Sequence, residues 1–323
     1  IIPKDAEITQ IYFDGCYSEV IIQCKNPGEA VGRRGANVNE IREKTGWIPI
    51  VERNPPIISK SIHDIRGYRN ANSKERRKLL RDFGLNIHRP QRPGSTWARV
   101  TALGSYREVG RACHLVTTNE SRIMIDVGVN VANDLDPMPY FTAPEALPID
   151  KLDAVVLTHA HLDHAGMLPV LFKYGYRGPV YCTPPTRDLM LLLQTDYLKI
   201  GGAEGKQPPY SMEDIRTCQK HVVDVNWDQT TDIAPDVKMT FSNAGHILGS
   251  SAVHFHIGNG KHNLLFSGDQ KYEKSWLFDA ANTRFPRVES LVLESTYGAA
   301  GDFQPSRQEA NQELKDIVSR TLA

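Results

Sequence analysis

The pattern of apolar and polar positions predicts a small α/β arrangement at the start of the chain. Alternating apolar residues predict strands at Ile8–Phe13, Glu19–Cys24 and Ile48–Val51. Between the second and third strands, an apolar spacing of helical period ends at Gly46, which is typical of a helix terminus. We therefore expect residues 1–52 to form one small domain.

Residues 53–96 have a different pattern, with several prolines and many basic residues. One helix is predicted at Ser73–Phe83, with Ser73 as its amino-terminal cap and Gly84 as its stop. We interpret this region as a basic extension or linker.

From Trp97 onward, short apolar strands alternate with helical segments. Helices are predicted at Asp163–Tyr174 and Arg187–Ile200. The predicted strands are Ala98–Leu103, His114–Thr118, Arg122–Asp126, Ala154–Thr158, Val180–Cys182, Val222–Val225, Val237–Asn243, Ala252–Ile257, Asn263–Ser267 and Ser290–Leu293. Because strands dominate and several follow one another as in hairpins, the fold class is α/β (α+β), with a two-sheet sandwich flanked by helices rather than one doubly wound sheet.

Charge is distributed unevenly although the 323 residues balance overall, with 38 Lys+Arg against 38 Asp+Glu. Residues 1–99 carry 18 basic and 11 acidic residues, a net charge of +7, so residues 100–323 carry −7. A basic first third attached to a mildly acidic body suggests a module that meets phosphates, joined to a module with another task.

The five cysteines are odd in number and none forms a C-x-x-C pair, so neither a disulfide framework nor a thiolate zinc cluster is indicated. No apolar run approaches the roughly 18 residues that a membrane span requires, and charged residues interrupt the first ten positions. We expect a cytoplasmic protein without a membrane partner.

The richest motif is Thr158–His159–Ala160–His161–Leu162–Asp163–His164, directly after an apolar strand. Three imidazoles and a carboxylate on one tight loop can reach a common small volume. Imidazole with carboxylate and no thiolate is typical of a catalytic zinc site rather than a structural one. A solvated histidine-rich turn is the alternative interpretation.

Other predicted strands also end in a histidine or a carboxylate followed by small residues. These are Asp126, His246 within Gly245–Ser250, Asp269 after Ser267–Gly268, and Glu294 after Leu291–Leu293. Each alone is weak, but their common position at strand ends predicts one shared site.

With its H-x-H-x-D-H loop matched at His159, His161, Asp163 and His164, the sequence resembles the metallo-β-lactamase superfamily. The resemblance covers roughly residues 97–298 and implies an αββα sandwich. The segment Glu294–Gly298 looks like the first extra motif of the β-CASP nucleases, so residues 299–323 would begin a β-CASP domain. The run Lys173–Thr183 and the motif Gly32–Gly35 resemble the archaeal homologues of the cleavage and polyadenylation specificity factor, which carry KH modules.

The resemblance implies two Zn²⁺ ions. His159, His161 and His246 would bind one, Asp163 and His164 the other, and Asp269 would bridge them, with Asp163 also orienting the attacking hydroxide. It follows that Asp163 and Asp269 would be the catalytic carboxylates. Asp126 and Glu294 are interpreted as carboxylates that accept hydrogen bonds from the ligand imidazoles, with a purely structural strand cap as the alternative for Asp126.

Gly32–Arg33–Arg34–Gly35 is a G-x-x-G motif, predicted to lie between a strand and a helix. Glycines let a backbone approach phosphates closely, and the two arginines add positive potential. Alone the motif is a common turn, but its context favours a KH-type RNA-binding domain at residues 1–52.

The β-CASP pattern contains two further histidines, whereas this chain has none after His262. Because the chain starts with Ile and stops within a helical pattern, we expect it to be part of a longer protein. The second zinc site would then be incomplete, and the fragment would cleave weakly or not at all.

These observations predict a zinc-dependent ribonuclease that acts in RNA 3′-end formation and transcription termination, by endonucleolytic cleavage and with a possible 5′-to-3′ exonuclease activity. The expected partners are single-stranded, U-rich RNA, the transcription machinery and a second copy of the chain. Two alternatives stay open: a hydrolase of small thioesters or lactams, and an RNA-binding subunit with an inert metal site.

Overall fold

We describe the protein from a computed structural model that covers residues 1–57, 59–91, 94–133 and 135–322. It divides into two compact units, Ile1–Val292 and Leu293–Ala323, and each is described by itself. Among the described residues, no helix has the length and apolar character needed to cross a membrane.

The chain begins with a three-stranded sheet of β1 (Ile8–Asp14), β2 (Glu19–Cys24) and β3 (Ile48–Arg53), in that order. β1 pairs antiparallel with β2, and β3 pairs parallel with β2. Two helices follow β2: α1 (Pro27–Val31) and α2 (Ala36–Thr45). Apolar residues join this amino-terminal sheet to the helices, in two small clusters made of Ala6, Cys24 and Ala30 and of Val20, Ile22 and Ile41.

The G-x-x-G motif lies between two helices, which corrects the prediction that it joins a strand to a helix. The five-residue helix α1 starts at Pro27, where proline's missing N–H costs nothing, and ends at Gly32. Such a short helix leaves no periodic apolar pattern, so the sequence did not reveal it.

Residues 60–87 form two packed helices rather than a linker with one helix. These are α3 (Lys60–Ala71) and α4 (Ser73–Ile87), and they meet at Asn72. Arg69 and Arg76 are buried, and they pair with Asp224 at 3.1 Å and with Asp14 at 3.3 Å. Basic residues that looked like a solvated face therefore form buried ion pairs.

Two larger sheets make up the rest of the first unit. The six-stranded sheet has the order β4-β5-β6-β7-β8-β9, antiparallel from β4 to β6 and parallel from β6 to β9. Its strands are β4 (Ala98–Gly104), β5 (Cys113–Thr118), β6 (Arg122–Ile125), β7 (Ala154–Val156), β8 (Val180–Cys182) and β9 (Val222–Asp224).

The five-stranded sheet has the order β10-β11-β12-β13-β14, antiparallel except for the last pair. Its strands are β10 (Thr230–Ala234), β11 (Val237–Asn243), β12 (Ser251–Ile257), β13 (His262–Phe266) and β14 (Ser290–Val292). The sequence analysis missed β10, a polar edge strand.

The two sheets pack face to face through buried apolar residues such as Ile123 and Val156 from one sheet and Phe241 and Phe255 from the other. A second core lies on the other face of the six-stranded sheet. There the helices are α5 (Leu162–Ala165), α6 (Leu168–Lys173), α7 (Pro184–Ala203) and α8 (Met212–His221). The α/β class is confirmed, with helix, sheet and sheet layers in place.

The fourth, helical layer of the predicted αββα order stays a prediction. The unit Leu293–Ala323 contains α9 (Arg307–Leu322) and is described by itself. Its predicted identity as the start of a β-CASP domain stays a prediction too, as does the KH-type identity of residues 1–52.

Strand direction explains where the site forms. β6 and β7 run parallel, and β11 and β13 share one direction because both pair antiparallel with β12. The carboxyl ends of strands that share a direction lie at the same edge of a sheet. Asp126, His159, His246 and Asp269 all follow such ends.

Candidate metal centre

The histidine-rich loop leaves β7 and turns into α5 at His161. Backbone hydrogen bonds fasten it to the segment after β6: Val127 N donates to His164 O at 2.6 Å, and Val129 N donates to Leu162 O at 2.9 Å. Ala112 N donates to Asp163 O at 2.8 Å. Three strands therefore determine the position of one short loop.

Gly128 makes this close approach possible. A Cβ atom built on Gly128 would lie 1.6 Å from Asp163 O and 2.7 Å from Ala112 N. No side chain can occupy that space unless the backbone moves, so the loop carrying Asp163 depends on a glycine here.

One group of potential metal ligands consists of His159, His161, His246 and Asp269. His161 Nδ1 lies 3.1 Å from both His159 Nε2 and His246 Nε2. Asp269 Oδ2 lies 3.8 Å from His159 Nε2 and 3.6 Å from His246 Nε2. Four donor atoms from three separate loops thus converge on one small volume.

A second group consists of Asp163, His164 and Asp269. His164 Nε2 lies 3.2 Å from Asp269 Oδ1 and 3.8 Å from Asp163 Oδ2. Asp269 belongs to both groups and presents a different oxygen to each. The geometry therefore places together the six residues that the sequence analysis named as ligands.

Asp126 lies behind these histidines, as its position at the end of β6 suggested. Its Oδ2 accepts hydrogen bonds at 2.8 Å from His164 Nδ1 and from Thr158 Oγ1, and its Oδ1 accepts from Thr158 N at 2.8 Å. Thr158 Oγ1 in turn lies 3.0 Å from His159 Nδ1, which donates to it because the hydroxyl proton is already used. Both imidazoles are therefore held with Nε2 directed into the site.

Thr158 is a residue that the sequence analysis missed. It is a buried hydroxyl residue at the end of an apolar strand, immediately before the first histidine, and that combination was the available signal.

The loop carrying His246 is fixed by hydroxyl groups. Ser250 Oγ accepts from His246 N at 3.1 Å, and Thr183 Oγ1 donates to Gly249 O at 2.8 Å. Thr183 caps α7, so this helix connects the His246 loop to the six-stranded sheet. Ser250 and Thr183 were also missed, because hydroxyl residues are too common for sequence position alone to single them out.

Burial and neighbouring charges separate the pKa values of the buried histidines. Burial, reinforced by the neighbouring imidazoles, lowers the pKa of His159 well below its usual value. Burial also acts to lower the pKa of His164, but the carboxylates of Asp126 and Asp269 outweigh it and raise that pKa well above its usual value. Burial acts to raise the pKa of Asp269, yet the imidazoles, His164 first, lower it.

The donor set fits divalent zinc. It combines imidazole nitrogens and carboxylate oxygens within 4.8 Å of one another and contains no thiolate. His159 Nδ1 carries the proton that it donates to Thr158, so His159 Nε2 directs a lone pair into the group. Lone pairs directed at one point repel each other unless a cation lies between them.

Two predicted functional elements lie apart from this centre. Glu294 belongs to the unit Leu293–Ala323, where its Oε2 accepts from Thr296 N at 3.0 Å, so its proposed contact with a ligand imidazole stays a prediction. Arg33 and Arg34 are exposed, and Arg34 has a left-handed φ of 53°. The two glycines around them, Gly32 and Gly35, also have positive φ.

Two sheets packed face to face, with histidines and aspartates converging at one edge, are the arrangement of metal-dependent hydrolases. The family model described as "Metallo-beta-lactamase superfamily" matches residues 106–318. The chain therefore belongs to the metallo-beta-lactamase superfamily, which confirms the resemblance inferred from the H-x-H-x-D-H loop.

Several archaeal proteins are similar over the whole chain. A Methanosarcina mazei protein named "Transcription termination factor FttA" is 51% identical over 322 residues, which cover 100% of this chain and 50% of that protein. Proteins of the same name from Methanothermobacter thermautotrophicus and Thermococcus kodakarensis are 49% and 48% identical, and this chain covers 51% of each with its full length. The chain spans about half the length of the curated relatives it matches.

Proposed function

We propose that this chain is part of a zinc-dependent ribonuclease that hydrolyses RNA phosphodiester bonds. The observation that carries the proposal is the pair of donor groups that share Asp269, one oxygen for each group. A shared carboxylate between two ligand sets suits a pair of ions, and pairs of ions are used in phosphodiester hydrolysis.

In this proposal His159, His161 and His246 hold one zinc, Asp163 and His164 hold the other, and Asp269 contacts both. When bound, such ions supply a nucleophile at neutral pH and neutralise the charge that develops on a phosphodiester. Asp163, about one-third exposed, accepts a hydrogen bond from the attacking water and orients it toward the phosphorus. Asp126 keeps His164 in the tautomer that presents Nε2 to the site.

RNA as the substrate is supported by the G-x-x-G motif and by the relatives' name. Exposed Arg33 and Arg34, between two glycines of positive φ, provide a turn at which a phosphate backbone can approach closely. The relatives are named transcription termination factors. We accordingly place the activity in RNA 3′-end formation coupled to termination, chiefly by endonucleolytic cleavage.

The same reasoning extends to partners. We propose that the full-length protein associates with the transcription machinery, which the relatives' name supports, and that it acts as a homodimer, which the family resemblance supports.

The test is cleavage of a labelled U-rich RNA by this fragment and by the full-length protein, each with zinc and with a chelator. We expect metal-dependent cleavage by the full-length protein and weak or no cleavage by the fragment. Asp163→Asn should abolish cleavage, while exposed Asp232→Asn serves as the matched carboxylate control. Cleavage that a chelator leaves intact, or thioester hydrolysis without RNA cleavage, would overturn the assignment.

Metal content provides a separate check. The group of His159, His161, His246 and Asp269 offers four donors, whereas the group of Asp163, His164 and Asp269 offers three. We expect zinc titration against a chromophoric chelator to show one tight site and one weaker site in this chain. Two sites of equal affinity would contradict the unequal donor sets.

A further inference from the structure

A cavity of about 720 Å³ opens between the amino-terminal sheet and α3. Tyr12, Gln23 and Glu52 line it from the sheet, and His63 and Arg66 line it from the helix. This volume lies within the range of pockets that take small organic ligands or a nucleotide.

The cavity is on the opposite face of the sheet from the G-x-x-G motif. Side chains alternate along β2, and Val20 and Ile22 pack with Ile41 of α2 on one face. Gln23 therefore points to the other face, toward α3. The cavity and the G-x-x-G motif are separate surfaces of one small sheet.

The floor of the cavity is a fixed network of hydrogen bonds. Glu52 Oε2 accepts from Gln23 Nε2 at 3.1 Å, from Arg66 Nη1 at 3.2 Å and from Tyr12 OH at 3.4 Å. An aromatic ring, an amide and a carboxylate held together in this way offer both stacking and hydrogen-bonding partners to a nucleobase.

The rim of the cavity is positively charged. Arg53 and Lys60 are exposed there, and within the described part of the chain neither forms an ion pair. The one carboxylate of the lining, Glu52, is neutralised by Arg66. Two uncompensated cations beside a hydrogen-bonding floor suit a phosphodiester attached to a base.

The cavity is connected to the metal centre by one helix. Arg66 Nη2 donates to Asp188 Oδ2 at 3.0 Å, and Asp188 lies in the first turns of α7. The cap of α7, Thr183, holds Gly249 in the loop that carries His246. The cavity is therefore attached to the end of α7 that borders the metal centre.

From these observations we infer that the cavity binds one nucleotide of a single-stranded RNA, with its phosphate at Arg53 and Lys60 and its base on the floor around Glu52. This inference rests on the proposed function, since it concerns the same substrate. It adds a second contact surface for the strand, besides the G-x-x-G motif.

The experiment measures binding of a short fluorescein-labelled oligouridine by fluorescence anisotropy, in a chelator so that cleavage cannot occur. The double variant Arg53→Ala/Lys60→Ala should bind roughly tenfold more weakly than the wild type. Its slope of log affinity against log salt should fall by about 1.4, because each lost phosphate contact on a single strand removes about 0.7.

The matched control is Arg216→Ala/Lys238→Ala, which removes the same two kinds of charge from exposed sites paired with Glu213 and Asp232. It should bind as the wild type does. Both double variants alter exposed side chains, so circular dichroism should show unchanged folding.

Equal binding by the wild type and the cavity variant, or an equal loss in the control, would overturn the inference, and so would a wild type that does not bind. If Arg33→Ala/Arg34→Ala loses binding while the cavity variant does not, this inference fails and the proposed function stands. If the cavity variant shows the expected loss but the full-length protein does not cleave RNA with zinc, the proposed function fails and the RNA site remains.

Discussion

At the scale of single residues, Asp126 has the most constrained position in the candidate metal centre. It is 2% exposed and has a left-handed φ of 56°, a conformation that costs a residue other than glycine on the order of 1 kcal/mol. The surrounding hydrogen bonds from Thr158 and His164 hold it there. Strain of this kind is commonly found where the backbone must present a functional group.

We predict that Asp126→Asn weakens zinc binding by about 10- to 100-fold. Asparagine tolerates the left-handed backbone, so the change mainly removes the charge and one acceptor for His164 Nδ1. Competition with a chromophoric chelator measures the affinity.

Asp228→Asn is the matched control, because Asp228 also has a left-handed φ, of 60°, but is exposed. It should leave the zinc affinity unchanged. Equal affinity in Asp126→Asn and the wild type would show that Asp126 only caps a strand.

The ligand residues could be named from the sequence because each has distinctive chemistry at a recognisable place, the end of an apolar strand. Thr158 and Ser250 could not be named in this way. Their roles depend on which atoms lie within about 3 Å of their hydroxyl groups, and no local pattern specifies that distance.

At the scale of helices and strands, α3 and α4 attach the amino-terminal sheet to the sandwich through buried ion pairs. Asp224 Oδ2 accepts from Arg69 Nη2 at 3.1 Å and from Arg187 Nη1 at 2.6 Å. Arg69 is 4% exposed, so its charge depends on this partner rather than on water.

We therefore predict that Asp224→Ala lowers the free energy of unfolding by about 3–5 kcal/mol, because it leaves a buried guanidinium without its carboxylate. Urea denaturation followed by circular dichroism measures the change. Asp232→Ala removes an exposed pair with Lys238 and should cost less than about 1 kcal/mol. A similar loss in both variants would mean that burial of the pair has no energetic consequence.

A second prediction concerns the contact between the segment after β6 and the histidine-rich loop. Gly128→Ala should lower the free energy of unfolding by about 1–3 kcal/mol, because the new Cβ collides with Asp163 O. It should also weaken zinc binding by the group that contains Asp163 and His164. Denaturation and zinc titration measure the two effects.

Gly84→Ala is the control for this substitution. Gly84 lies within α4 and its Cβ would meet no atom within 4 Å, so alanine should stabilise the helix by about 0.5–1 kcal/mol. If Gly128→Ala were as stable as the wild type, the loop would have more freedom than the structure shows.

Most strands and the long helices followed from hydrophobic periodicity, with ends correct to within a few residues. The failures have a common cause. α3 contains Gly67 and Asn70 and buries Arg69, and β10 is polar and lies at a sheet edge, so neither shows the apolar pattern of its class.

At the scale of the whole molecule, the helices on the six-stranded sheet bury an ionisable side chain. His221, at the end of α8, is 4% exposed, lies between Phe83 and Phe172, and donates from Nδ1 to Gly178 O at 3.0 Å. Burial, with a smaller effect from the charge of Arg177, lowers its pKa to about 4.

This pKa predicts how stability changes with pH. The unfolded chain protonates His221 near its ordinary pKa of about 6.5, whereas the folded protein resists until about pH 4. The contribution is therefore complete above about pH 6.5 and is lost as pH falls toward about 4, with a total of about 3 kcal/mol.

Urea denaturation at a series of pH values tests this. His221→Asn keeps a donor for Gly178 O but cannot take up a proton, so its free energy of unfolding should fall less steeply than that of the wild type between about pH 6.5 and 4. The same slope in both proteins would show that His221 is not responsible.

The sequence alone determined the class of fold, the family and the chemistry of the candidate centre, because periodicity reports which residues face a core and the H-x-H-x-D-H loop is local. The tertiary structure decided that His246 and Asp269 meet that loop, that Asp126 acts through Thr158, and that basic residues of α3 and α4 are buried in ion pairs. These depend on contacts between residues far apart in the chain, and such contacts are set by the packing of whole sheets and helices rather than by any local pattern.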